Sequence, residues 1–373
     1  MKILVAGIRG IPNVQGGVET HAEQLYPRLA RLGCDVEVLV RAPFVPPQVR
    51  SFGQVRIRRL WSPVQPGYEA LLHSLLAVCY AAVARPDVLH IHAVGPAIVT
   101  PLARLLGIRV VVTHHGPDYE REKWGPAART ILRLGERLGM RWASARIAIS
   151  RTIADLVQSR FGVTPHVIPN GVVIHDRPRD SDVVTGLGLE PGRYFVHVAR
   201  MVPEKRQLDL IAAFARRPRD WRLVLVGATD SGEYARQVRD AARAHGVLLP
   251  GFLGGDALRQ IYGHAGAFLL PSSHEGLPIA LLEALSYGLP VAASDIPANL
   301  EIGLPGECYF PLGDLSALSA QMDRLEQLPA DEAARAARIR WTAERYDWDK
   351  IALQTLQVYR SVTRAAEWHG PLS

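Results

Sequence analysis

The chain has 373 residues, 48% hydrophobic and 21% charged, an ordinary globular composition with length for two or three domains. Three cysteines, Cys34, Cys79 and Cys308, show no CxxC spacing and leave an odd number, which argues against a disulfide framework or a thiolate zinc site and for a reducing cytosol. Net charge is +7, but residues 1–180 carry 23 basic against 13 acidic residues (+10) and residues 181–373 carry 20 against 23 (−3). A basic half suggests contact with an anionic partner: nucleic acid, phospholipid or a phosphorylated substrate.

The chain starts with "KILVAGI", read as a first strand, and a glycine turn, "AGIRGIPNVQGGVET", containing Gly7, Gly10, Gly16 and Gly17. A helix pattern follows over Val18 to Leu32. Adjacent glycines let backbone approach a phosphate while a helix amino end presents free N–H groups. The spacing is neither GxGxxG nor GxxxxGK[ST], so neither a dinucleotide fingerprint nor a P-loop is indicated. A plain glycine turn fits this segment equally well. The opening residues also lack the apolar core and cleavage site of a signal peptide. Further runs, "VEVLV", "VLHIHA", "VVVTHHG" and "ARIAIS", read as strands, with a helix over Gly67 to Ala84. The longest apolar stretch, Leu71 to Ala84, is interrupted by His73 and falls short of the roughly 20 residues that cross a bilayer.

His114 and His115 sit where the "VVVTHHG" strand ends, the functional rim of a parallel sheet. Alternation along the strand sends them to opposite faces. A structural role is the better reading for His114, and the two roles balance for His115. In "AARTILRLGERLGMRWASAR", Arg129, Arg133, Arg137 and Arg141 recur every four residues as one cationic ridge beside Ile131, Leu132, Leu134 and Leu138. Such a helix suits an anionic membrane surface, and a solvated face is an equal alternative. Few aromatics interleave with the arginines, so nucleic-acid stacking platforms are not expected.

The second half repeats the alternation with "YFVHVAR", "RLVLVGA", "VLLPGFL", "AFLLPS" and "PVAASD". Two Rossmann-like α/β domains facing across a cleft are therefore expected. The boundaries are placed at 1–172 for the first domain, 173–192 for a turn-rich linker, 193–345 for the second domain and 346–373 for a tail with helical spacing. Arg200 lies at a strand end, and Lys205 is placed at the opening of the next helix. Their spacing lets a guanidinium fork and an ammonium converge on one diphosphate.

In "SHEGLPIALLEALSYGLPVAASD" a helix pattern from Pro278 to Tyr287 carries one charge, Glu283, with Glu275 just outside it. Pro278 suits the first helical position, Gly288 the residue past the end, and Gly276 and Leu277 offer backbone N–H groups to an anion. Carboxylates accept hydrogen bonds from neighbouring hydroxyls, so the pair could hold sugar rings beside a diphosphate. A buried glutamate capping backbone or paired with a cation is the competing explanation. Two Asp-x-Asp matches, Asp180 to Asp182 and Asp347 to Asp349, read as linker and helix cap, and no metal is expected.

Together these segments resemble the retaining glycosyltransferases of family 4, which have the two-domain GT-B fold. The likeness runs through "QGGVET", "HHG", "VIPNGV", "VARMVPEKRQ", "PGFLG" and, most specifically, the two glutamates separated by seven residues in "EGLPIALLEALSYGLPVAASD". "RGIPNVQGGVET" and "HHGPDYEREKW" look like members that build bacterial surface polysaccharides, including rhamnosyl- and mannosyltransferases. The resemblance implies that Gly16 and Gly17 lie beside the donor diphosphate, that His115 contacts the transferred sugar, and that Arg200 and Lys205 hold the diphosphate. It places Glu275 on the donor sugar, Glu283 on the ribose, and Phe252 and Leu253 beside the base, with Asn170, Gly276, Leu277 and Pro278 in the donor site. It further implies a nucleoside-diphosphate sugar as substrate, no cofactor, and a glycan or polyprenyl-diphosphate-linked acceptor. The final helix would cross back to the first domain, and the protein would be cytoplasmic or peripheral at the inner membrane. A nucleotide-sugar 2-epimerase of the same fold, or an inactive nucleotide-sugar-binding homologue, are the alternatives.

Overall fold

In the computed structural model, residues 1–64, 68–120, 124–228 and 232–364 are described; Gly67, Arg121 to Lys123 and the tail beyond Arg364, which fall within segments read above, lie outside them. The chain divides into two compact units, Met1–Gly171 with the final helix from Trp348, and Val172–Asp347.

The first unit holds strands β1 (Lys2–Ala6), β2 (Asp35–Arg41), β3 (Ser51–Phe52), β4 (Val55–Leu60), β5 (Val88–His92), β6 (Val110–His114), β7 (Ala145–Ala148) and β8 (His166–Val167). They form one sheet in the order β3-β4-β2-β1-β5-β6-β7-β8, parallel throughout except that β3 runs antiparallel to β4. Helices α1 (Gly17–Arg31), α2 (Tyr68–Ala84), α3 (Thr100–Leu105), α4 (Pro126–Trp142) and α5 (Arg151–Phe161) join them. The inner strands are near-continuous apolar runs because helices cover both faces of such a sheet; Ile3, Leu4 and Val5 are fully buried.

The edge differs from the expectation. Residues 55–60, "VRIRRL", form β4 although no strand is read there: Val55 and Ile57 are buried while Arg56 and Arg58 point to solvent. Period-two alternation marks a strand with one wet face, and the arginines conceal it from a search for apolar runs.

The final helix (Trp348–Arg364) packs on α1. Arg28 donates to Asp349 at 3.0 Å, and the Tyr359 hydroxyl lies 2.6 Å from His90 Nδ1. Trp348 lies so close to Gly171 that a Cβ there would strike the indole ring. Asp347 directly precedes this helix and bridges in parallel with Val172.

The second unit holds β9 (Tyr194–Val198), β10 (Arg222–Val226), β11 (Leu248–Gly251), β12 (Ala267–Leu270), β13 (Val291–Ser294) and β14 (Tyr309–Phe310) in the order β11-β10-β9-β12-β13-β14, all parallel. Its helices are α6 (Asp182–Gly186), α7 (Gln207–Phe214), α8 (Glu233–Ala244), α9 (Gly255–Gly263), α10 (Ile279–Ser286), α11 (Pro297–Leu300), α12 (Leu315–Glu326) and α13 (Glu332–Arg345). Phe195, Leu210, Leu223, Leu225, Val238 and Met322 centre its core. Asp182 opens α6 behind Ser181, and the Asp180 carbonyl accepts from His264 at 2.9 Å. Lys205 closes a single 3-10 turn, Pro203–Lys205, and does not open a helix; Arg206 adopts a left-handed φ of 50°, and α7 begins only at Gln207.

Replacing Tyr359 by Phe removes one buried hydrogen bond between the final helix and β5 while keeping the ring. Urea unfolding should show a loss of about 1 kcal/mol; an unchanged midpoint would mean the bond contributes nothing.

Candidate functional site

In an open parallel sheet, ligands collect at the carboxyl ends of strands where the chain order reverses. The first unit reverses between β1 and β5, the second between β9 and β12. The residues singled out from sequence lie on the loops leaving these strands and their neighbours.

In the first unit the glycine loop follows β1. Gly7 has φ +92° and a Cβ there would strike the His92 backbone, so only glycine lets these adjacent strand ends approach. Gly16, at φ +153°, caps α1, and a Cβ on it would meet the Glu19 carboxylate and the Arg9 guanidinium. Glu19, buried, accepts from Arg9 N and Nε at 3.1 Å each, and an Arg9 amino group donates to the Gln15 carbonyl. The loop is thus held shut by an ion pair, with Gly17 exposed at the start of the helix.

His114 and His115 diverge as alternation requires. His114 is fully buried, 2.9 Å from Glu136 on α4, and its Nδ1 accepts from Gly116 N at 3.1 Å. His115 turns to the opposite side, where its Nε2 lies 2.9 Å from His92 Nδ1. His21 on α1 completes a cluster, its ring 5.1 Å from His115 and 5.4 Å from His92. Asn170 is buried, and its Oδ1 accepts from His21 Nδ1 at 2.7 Å. Burial lowers the pKa of His21 to about 4, of His90 to about 3, and of His92 and His115 well below the usual range, so these rings are neutral at physiological pH. His21 and His92 were not singled out from sequence. The one available signal was the pair His90 and His92, on one face of an otherwise apolar strand.

In the second unit Lys205, beyond β9, donates to Glu275, beyond β12, at 2.5 Å. Both side chains are mostly covered, 20% and 10% exposed. Burial by itself would raise the Glu275 pKa; the Lys205 ammonium outweighs it and holds the carboxyl below its ordinary value. Arg200 lies two residues past the end of β9, and its carbonyl accepts from the Gln207 side chain at 2.8 Å. Gly276, Leu277 and Pro278 lead into α10. Phe252 and Leu253 follow β11, with Phe252 59% exposed. Glu283 sits on α10, where the Tyr262 hydroxyl donates to its Oε2 at 3.0 Å. Tyr262 in turn stacks on Tyr287, ring centres 5.5 Å apart. Sequence spacing did not reveal Tyr262 as the partner of Glu283.

Residues 15–176 match the family described as Glycosyltransferase Family 4, and residues 187–342 match the one described as Glycosyl transferases group 1. The alpha-maltose-1-phosphate synthase of Mycobacterium tuberculosis (strain H37Rv) is 30% identical over 94% of this chain and 97% of its own length. The chain belongs to glycosyltransferase family 4. The phosphatidyl-myo-inositol mannosyltransferase of Mycolicibacterium smegmatis is 29% identical over 95% of the chain and 92% of its own length. Among solved structures, sucrose-phosphate synthase from Thermosynechococcus elongatus covers 98% of the chain and 99% of its own, at TM-score 0.84 and 22% identity. Anabaena HepE in complex with UDP-glucose covers 97% and 100% at TM-score 0.79 and 20% identity. The fold of this glycosyltransferase is GT-B.

Glu283 gives the transferase a testable pH signature. Burial pushes its pKa up to about 7, the Tyr262 hydrogen bond opposing the rise. With the folded value above the ordinary 4.5, the folded state holds a proton that the unfolded chain releases. The stability contributed by the protonated carboxyl is therefore present at low pH and is lost as pH rises toward about 7. Glu283→Gln removes this dependence. Thermal melts should favour the variant by on the order of 1 kcal/mol at about pH 8 and show little difference at about pH 5; parallel pH profiles would contradict the assigned environment.

Proposed function

We propose that this chain is a retaining transferase that moves a hexose-type sugar from a nucleoside-diphosphate sugar to a glycan or polyprenyl-diphosphate-linked acceptor in bacterial envelope or exopolysaccharide synthesis. The observation that carries the reading is the Lys205–Glu275 pair at 2.5 Å, on loops from the two adjacent strands at the sheet's reversal point and next to the start of α10. A cation and an ionised carboxylate side by side suit a donor with a diphosphate next to a polyhydroxyl ring. The relatives are named as synthases and transferases, and HepE binds UDP-glucose.

Transfer with retention needs the nucleoside diphosphate to leave while the acceptor oxygen attacks from the same face. Arg200, Lys205 and the amino end of α10 offset charge that grows on the departing diphosphate. They do so without a metal ion. Glu275 fixes the donor sugar, His115 hydrogen-bonds the transferred sugar, and Gly16 and Gly17 let backbone approach the diphosphate. Asn170, which the resemblance puts in the donor site, accepts from His21 at 2.7 Å. Glu283 accepts from the ribose hydroxyls once ionised, with Phe252 and Leu253 beside the base.

Arg200→Ala, Lys205→Ala and Glu275→Ala should each lower turnover of the true donor at least about tenfold, roughly 1.4 kcal/mol of transition-state stabilisation. The donor comes from a thermal-shift panel of nucleoside diphosphates and nucleotide sugars, since the right ligand stabilises in proportion to saturation. Wild-type rates in all three variants, or conversion of the donor sugar with no acceptor present, would overturn the reading; the latter is the signature of an epimerase.

A second element concerns the acceptor's surroundings. On α4, Arg133, Arg137 and Arg141 are exposed with Ile131, Leu134 and Trp142, and the neighbouring α3 adds exposed Leu102, Leu105 and Leu106. Arg129 departs from the expected ridge: it is only partly exposed, and its Nε is buried. The remaining three arginines and these apolar side chains suit an anionic lipid surface, and no described helix is long and apolar enough to cross a membrane. Co-sedimentation with anionic vesicles at low salt should retain the protein and lose it at high salt; absence of binding at low salt removes the idea.

A further inference from the structure

We propose that His21, His92 and His115 form a binding site for a divalent transition-metal ion of the zinc class, held by three imidazoles and sharing His115 with the proposed sugar site. One ring nitrogen from each lies within 4.8 Å of the other two. In a tetrahedral zinc site, bonds of about 2.0–2.1 Å set ligand nitrogens roughly 3.3 Å apart. His92 Nδ1 and His115 Nε2 are already 2.9 Å apart, and the His21 nitrogen, within 4.8 Å of both, moves inward to complete the set.

Behind two of the rings, His21 and His92, the hydrogen bonding is that of metal ligands. His21 donates its Nδ1 proton to Asn170 Oδ1 at 2.7 Å, which fixes the tautomer and leaves the Nε2 lone pair exposed to the cluster. That Nε2 is buried and has no hydrogen-bond partner among the described residues. A buried ring nitrogen left in this way costs free energy unless something meets it. His92 contacts the Tyr26 hydroxyl through Nε2, and Tyr26 also reaches His90 Nδ1 at 2.9 Å. With the His92 proton on Nε2 and donated to Tyr26, its Nδ1 lone pair faces the cluster too. Ligand histidines characteristically hand their second N–H to such an outer acceptor.

Imidazole sets favour zinc, copper, nickel and iron over magnesium or calcium. His115 is the least buried of the three, so a solvent molecule takes the fourth position from its side. The expectation of no metal rested on the two Asp-x-Asp segments, which are separate from this cluster. On the reading above, in which His115 contacts the donor sugar, an ion on its Nε2 withdraws that nitrogen, so occupancy inhibits transfer.

The test uses the full chain, stripped with chelator and titrated with cobalt(II) chloride without nucleotide. A visible d–d absorption saturating at one equivalent, and abolished by added zinc, is expected. His21→Ala and His115→Ala should each weaken cobalt binding at least about tenfold, whereas His166→Ala, at an exposed position, should leave it unchanged. Circular dichroism melts confirm folding, and His115→Ala, at the least buried ligand, serves if His21→Ala does not fold. No saturable absorption in the wild type, or equal affinity in the folded ligand variants, overturns the site. A nucleotide panel without hits would sink the transferase reading instead and leave the cobalt result standing.

Discussion

A buried imidazole is most stable when neutral and hydrogen-bonded, and His90 in the first unit meets that constraint on both ring nitrogens. His90 has no exposed surface; its Nδ1 lies within reach of Tyr26 and Tyr359, and its Nε2 is 2.7 Å from Thr113. These partners come from α1, β6 and the final helix, so satisfying one ring fixes three elements around β5. Tyr359 lies 269 residues further along the chain. Apolar burial would accept many rotations of that helix, while the short bond to His90 accepts few. The same rows of rings continue outward through His92 and His21 to His115, so the rim residue is positioned by the core network beneath it.

The second unit meets its polar groups with charge. Its loops after β9 and β12 carry Lys205 and Glu275 as an ion pair. A preformed pair holds both side chains in one geometry and spares reorganisation when a charged ligand arrives. On the proposed reading it also sets a competition, because a donor diphosphate would share the ammonium with Glu275.

The sheets were legible in the sequence because buried parallel strands are apolar runs, and ten of them could be read directly from such stretches as "KILVAGI" and "AFLLPS". What stayed hidden was wet or brief. The strand "VRIRRL" carries its arginines outward, and β3, β8 and β14 are two residues each. In the site, the glycine loop, His115, Lys205 and the glutamate pair were visible as residue types placed at strand ends. Their partners were not, since His21, His92 and His115, or Tyr262 and Glu283, meet only after folding, and no local spacing encodes that meeting. Arg129 shows the converse: four-residue spacing put it on a ridge, but a helix face is finally divided by what packs against it, and its Nε ended inside.

Glu275 and Glu283 lie within one loop and helix yet shift in opposite directions, one below the ordinary carboxylate value and the other up to about 7. Burial acts on both in the same sense, so burial cannot separate them. The difference is the partner: Lys205 brings a full positive charge to Glu275, whereas Tyr262 brings only a neutral hydroxyl to Glu283. A neutral donor stabilises the carboxylate far less than an ammonium at the same distance. One glutamate is thereby kept ionised at every physiological pH, and the other is left near its midpoint, where the extra hydroxyl donors of a bound diol would complete its ionisation. Two identical side chains, one in the loop before α10 and one on it, thus acquire different chemistry from what stands opposite each.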